Sequence, residues 1–175
     1  MVGRIRRFLR DRAGTAAVEF AIIVPVMVLM AAGSVEIGHA FQAYDAVNRL
    51  ATQYAFTWSD CSDSPTGTCL TDLNLYTTSS SLANIAPQLI TSSISLRMFR
   101  VTVVGSSVNV VYAYPTGQTL TTAETTAATS VIANGASGVV VSVSYVYHLV
   151  AFSTLLSPVI GSSFPMAFTV VQITP

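Results

Sequence analysis

From Ala16 to Gly33 the chain reads AAVEFAIIVPVMVLMAAG, apolar at every position except Glu19. These eighteen residues, Glu19 included, rise about 27 Å as an α-helix, close to the hydrocarbon thickness of a bilayer. In lipid, a spanning segment must satisfy its own backbone hydrogen bonds, so this run has essentially one conformation open to it. Five of the eight basic residues, all arginine, precede it as Arg4, Arg6, Arg7, Arg10 and Arg12. Arginines on one flank hold that flank in the cytoplasm. The prediction is a single pass with its N-terminus inside and the rest of the chain on the far side, which in a bacterium is the periplasm.

The apolar run continues into a segment with helical spacing. Ile37, Phe41, Tyr44, Val47, Ala51, Tyr54 and Trp58 recur every three or four residues, with Gln42, Asp45, Asn48, Arg49 and Gln53 on much of the opposite side. This pattern predicts one helix over 15–58, with a membrane half over 16–33 and an amphipathic half beyond it. Pro25 removes one intrahelical hydrogen bond and is expected to kink the first half.

Beyond Trp58, residues 59–175 predict a small α+β domain. Leu82, Ile85, Ala86, Leu89 and Ile90 suggest a helix started or kinked by Pro87. The period then changes to two: Phe99, Val101 and Val103 form one strand, and Val108, Val110, Tyr112 and Tyr114 a second, with Gly105–Ser107 as the turn. Thr121 and Glu124 have capping-box spacing and Asn134–Gly135 resembles a helix stop, although thin apolar content leaves a loop as the alternative. The third strand presents Val139, Val141, Val143, Tyr145 and Tyr147 to one face and Ser142, Ser144 and His148 to the other. A packed loop or short helix with Pro158 and Gly161 leads to a last strand over 164–173. The expected architecture is α+β: the long N-terminal helix, its amphipathic half packed on a small antiparallel sheet of about four strands.

Cys61 and Cys69 bracket a turn-rich loop containing Pro65 and Gly67. In an oxidising compartment a disulfide is expected, restricting the unfolded chain by about 2.5 kcal/mol. Two free thiols are the alternative, since two cysteines without nearby histidines cannot complete a zinc set.

Enzyme chemistry finds little support. His39 and His148 stand alone, Asp60, Asp63, Asp72 and Glu124 are scattered, and no nucleophile elbow, phosphate loop or HExxH motif occurs. No catalytic residue, metal site or cofactor is expected. After residue 12 only Arg49, Arg97 and Arg100 are basic, too few for a nucleic-acid patch.

The stretch GTAAVEFAIIVP, a basic leader, a glycine, four residues and then Glu-Phe opening an apolar helix, resembles the processing signature of Flp/Tad-type class IV prepilins. VEFA-x3-P followed by Gly33-x2-Glu36-x-Gly38 is similar to the TadE-like family of the tight-adherence pilus system. The resemblance covers roughly residues 14–50. It implies that residues 1–14 are a leader, cut after Gly14 by a prepilin peptidase to leave Thr15 as the new N-terminus. Glu19 and Phe20 then become the fifth and sixth residues of the mature chain. It further implies that Glu19 pairs with the free amine of a neighbouring pilin or pseudopilin subunit. Glu36 lies about where the helix leaves the bilayer, so an ordinary interfacial residue is its default reading and a second inter-subunit contact the alternative. The expected role is a minor pilin or pseudopilin, held in the bacterial inner membrane before assembly and at the cell surface afterwards. The competing expectation is a secreted or anchored binding domain whose signal sequence is cut near Ala31-Ala32-Gly33.

The physical argument stands apart from the family. A carboxylate near the membrane core costs up to a few kcal/mol unless it is paired or reaches the interface. Cleavage after Gly14 creates a cation about 6 Å along the helix axis from Glu19. The plainer reading places Glu19 in a first helical turn, favoured by the dipole and reaching water.

Overall fold

The computed structural model describes residues 12–61, 77–150 and 153–174. The chain divides into two compact units, Met1–His39 with Leu149–Ser162, and Ala40–His148 with Ser163–Pro175. Helix α1 (Arg12–Asp60) runs through both and contains Pro25 without interruption. It is slightly longer at each end than its periodicity predicts. Ser34, Thr52 and Thr57 each donate a hydroxyl hydrogen bond to the carbonyl four residues back, at 2.8, 2.9 and 2.9 Å.

In the larger unit, α1 packs on the sheet through Ala43, Ala46, Val47, Leu50, Ala51, Tyr54, Ala55 and Trp58, all buried. This face differs from the predicted stripe at its start: Ile37 and Phe41 are 58% and 68% exposed. The bulky residues had marked the stripe, but the structure turns alanines inward, where small side chains let the helix backbone approach the strands. Tyr44 lies at the edge of the contact, its ring edge-on to Phe168 with centroids 4.5 Å apart. Trp58 packs on Tyr112 at 5.6 Å.

The sheet is four-stranded, antiparallel throughout, in the order β2-β1-β3-β4. Its strands are β1 (Ile94–Val104), β2 (Ser107–Tyr114), β3 (Ser137–His148) and β4 (Ser163–Ile173). On β3, Val139, Val141, Val143, Tyr145 and Tyr147 are buried, as their alternation predicts. The β1–β2 turn is two residues long, with Gly105 at φ 63°, the positive angle that a first central hairpin residue needs. β2 does not keep the single alternation read from the sequence. A register shift opposite Arg100/Val101 pairs Arg100 with Tyr112 and Val101 with Val110, leaving Val111 as the extra residue. The bulge reverses the faces of the strand. Val108 before it and Ala113 after it both pack toward the cluster of Phe99, Val101 and Val103, while Tyr112 points to Trp58.

Helix α2 (Ser79–Ile85) stops two residues before Pro87, so the expected helical stretch does not continue to Leu89 and Ile90. The residue preceding a proline is driven out of helical geometry, and Ala86 sits at φ −135°, ψ 70°. A short 3-10 turn, Thr91–Ser93, leads into β1.

Helix α3 (Thr122–Val131) resolves the loop alternative: Thr121 and Glu124 form the reciprocal capping box. Ala128 and Ile132 close a second core with Phe99, Val101, Val103 and Val140, on the sheet face that α1 does not use. Asn134 and Gly135 do not stop the helix. The Asn134 Oδ1 accepts the Gly105 N–H at 2.7 Å, and Gly135 N–H donates to the Val103 carbonyl at 2.8 Å. Helix α4 (Ser153–Ile160) is the short helix between β3 and β4 and belongs to the smaller unit.

Candidate assembly site on the N-terminal helix

Gly14 and Thr15 lie in the first turns of α1 and are exposed. One turn further on, Glu19 is exposed and has neither a hydrogen bond nor an ion pair among the described residues. Phe20 beside it is 67% exposed. The surrounding helix presents apolar side chains in every direction: Val18, Ile22, Ile23, Val26, Met27, Val28, Leu29 and Met30 are between 41% and 69% exposed. α1 is long and apolar enough to cross a membrane, with 11% of its most apolar window buried. A helix that is apolar all round needs lipid or other helices around it. A lone carboxylate on that surface needs a positive partner or a path to water, and α1 supplies no cation within a turn among the described residues.

Glu36 has the opposite environment. It is 3% exposed, and its Oε1 accepts the backbone N–H of Val150 at 2.6 Å across 114 positions of sequence. Ala32, one turn earlier on the same face, is 1% exposed. About 25 Å of helix rise separates Glu36 from Glu19, so the two carboxylates serve separate places. His39, one turn beyond Glu36, has its Nδ1 buried without a hydrogen-bond partner among the described residues. The link from Glu36 to Val150 was not legible in the sequence, because nothing local relates a helix carboxylate to a backbone amide so distant.

Cys61 closes the end of α1, half-buried, and is not a free thiol. Cys69 lies outside the described residues, as do Asp63, Pro65, Gly67 and Asp72. No group of three or more His, Cys, Asp or Glu able to hold a metal occurs among the described residues.

The second charge-bearing constellation lies in the larger unit. Glu124, 1% exposed, accepts Arg97 Nη2 at 2.6 Å with one oxygen, while the other accepts the Thr121 N–H at 2.7 Å and the Thr121 hydroxyl at 2.9 Å. Burial pushes its pKa up. Hydrogen bonds from the Thr121 backbone, the Ser142 hydroxyl and the Thr121 hydroxyl, with the Arg97 charge, together outweigh burial and hold it below the usual 4.5. Both carboxylate oxygens hold structural partners, so this carboxylate fixes α3 to the sheet rather than standing ready for chemistry.

Residues 14–55 match the family model described as TadE-like protein. No curated protein and no solved structure matches the chain. The matched segment contains Gly14, Glu19, the apolar run, Glu36 and most of the sheet-packed half of α1. Over those 42 residues the chain is similar to the TadE-like family, in agreement with the resemblance read from its motif, a likeness that supports association with the Tad pilus.

Proposed function

We propose that this protein is a TadE-like minor pilin or pseudopilin, cut after Gly14 by a prepilin peptidase and assembled with other pilin subunits through α1. One observation carries the reading: Glu19 stands exposed and unpaired among the described residues, on a helix surface that is otherwise apolar. A carboxylate so placed favours a cation at a matching depth. The amine of Thr15, once exposed by cleavage, supplies one on the same helix or on a staggered neighbour. Pairing between helices offsets the desolvation of both charges and fixes the register of the two subunits. Apolar burial along α1 provides the bulk of the association, and the charge pair selects one stagger among many.

In this reading the chain enters the inner membrane with its arginines cytoplasmic, and residues from about Ser34 onward lie in the periplasm. Cys61 and Cys69 pair there. The length of the chain favours a minor or initiating subunit over the bulk one. The continuity of α1 through Ala31, Ala32 and Gly33 supports a helix retained whole over a signal sequence cut at that point. Co-purification from cells tests the assembly step: tagged wild-type protein is expected to recover other pilin subunits after pilus shearing, and Glu19→Ala to recover far less. Equal recovery by both proteins would remove the pairing role.

A further inference from the structure

The segment between β3 and β4, Leu149–Ser162, groups with the membrane-spanning part of α1. It has no acidic or basic residue: LVAFSTLLSPVIGS. Its only polar side chains are serine and threonine hydroxyls. Leu156 is buried, but Val150 and Ile160 are 66% and 46% exposed. An apolar loop of this kind beside a periplasmic strand has no evident reason to face water.

Its attachment point fixes its depth. Val150 N–H is held by Glu36 at 2.6 Å, and Glu36 lies three residues beyond Gly33, the end of the apolar run. Three residues add about 4.5 Å of rise, and the polar interfacial layer of a bilayer is roughly 5–7 Å thick on each side. The segment is therefore tethered at the level where lipid headgroups meet acyl chains. Short apolar elements rich in hydroxyls and free of charge suit that layer, where the outward apolar face enters the acyl boundary and the backbone stays near water.

We propose that Val150 and α4 form a lipid-contacting element seated in the periplasmic interfacial layer of the membrane, with Glu36 as the peg that holds Val150 against the span. Its occupant is the lipid surface, because Val150 and Ile160 are exposed apolar residues of the unit that holds the span, tethered where the apolar run ends. This inference rests on the reading of α1 as a membrane span, and the experiment separates the two.

The full chain carrying Trp58→Phe is reconstituted into vesicles of phosphatidylethanolamine and phosphatidylglycerol. Single tryptophans are introduced as Ile160→Trp, Val26→Trp and Val131→Trp. Val131, 47% exposed in the larger unit, is the aqueous reference, and Val26 reports the centre of the span. Lipids brominated near the headgroup are expected to cause a marked loss of Ile160→Trp emission and none for Val131→Trp. Lipids brominated near the acyl terminus are expected to quench Val26→Trp most. Val150→Trp provides a second reporter should Ile160→Trp misfold. Adding Glu36→Ala is expected to reduce quenching of the loop reporter, whereas Glu36→Gln, which keeps an acceptor oxygen, preserves it. Quenching of Val26→Trp with none for either loop reporter overturns the proposal and leaves the span intact, pointing to a protein partner on this surface. Absence of quenching at Val26→Trp as well overturns both. Quenching that Glu36→Ala leaves unchanged overturns the peg.

Discussion

Two carboxylates on α1 have opposite fates, and exposure separates them. Glu19 lies open on an apolar surface, while Glu36 is buried with a backbone amide on its oxygen. The sequence marks both as unusual, yet only the first owes its character to local sequence. An acid inside an apolar run one turn from a glycine is visible by inspection, whereas a bond across 114 positions needs the fold. Glu19→Ala is expected to insert and be trimmed like the wild type but to co-assemble poorly, measured by shearing pili and blotting. Glu124 tests the larger unit at the same scale. Truncating it leaves the Arg97 guanidinium, itself 28% exposed, without its partner and removes the cap of α3. Glu124→Ala is therefore expected to lower unfolding free energy by about 3 kcal/mol, read in detergent from Trp58 fluorescence. The folded carboxyl titrates below its usual 4.5. Its contribution is therefore complete above the unfolded value and is lost as pH falls through the lower folded one. Acid titration of wild type against Glu124→Gln is expected to show a stability gap that narrows only in that acid window.

At the scale of elements, β3 and the capping box of α3 were legible because each follows from near neighbours. Alternation over ten residues and a Thr-x-x-Glu spacing carry their own geometry. The face of α1 was legible only in part. Large apolar residues suggested where the stripe began, but Phe41 and Ile37 point outward and alanines point in. Small residues carry little periodic signal, although they pack closest. The contrast gives a direct test. Leu50→Ala, at a fully buried position, is expected to cost about 2–4 kcal/mol, whereas Phe41→Ser leaves the denaturant midpoint nearly unchanged and weakens association between subunits. The bulge in β2 was invisible for a related reason: one extra residue reverses the faces without altering composition. Gly138 shows a further constraint on the sheet. A Cβ there would stand 2.8 Å from the Gln172 carbonyl oxygen and 2.5 Å from the Ile132 side chain. Gly138→Ala is expected to destabilise by about 1–3 kcal/mol through overpacking, measured in the same unfolding assay.

For the whole molecule, one helix joins two units with different surroundings. In the first, apolar side chains on all sides call for lipid or neighbouring helices. In the second, a sheet is covered by α1 on one face and α3 on the other, each closing its own buried core. The match to the TadE-like model ends at residue 55, so the architecture of the sheet rests on strand patterning and packing alone. The proposed Cys61–Cys69 pairing depends on the proposed periplasmic placement of this second unit. Native protein is expected to resist thiol alkylation until reduced, and two alkylated thiols without reduction would place it in a reducing compartment. The central claim is that Glu19 serves an amine which proteolysis exposes, and the N-terminal residue of the chain recovered from sheared pili tests it most directly. Edman sequencing or intact mass is predicted to begin at Thr15; a chain within the fibre beginning at Met1, or near Ser34, would contradict the account.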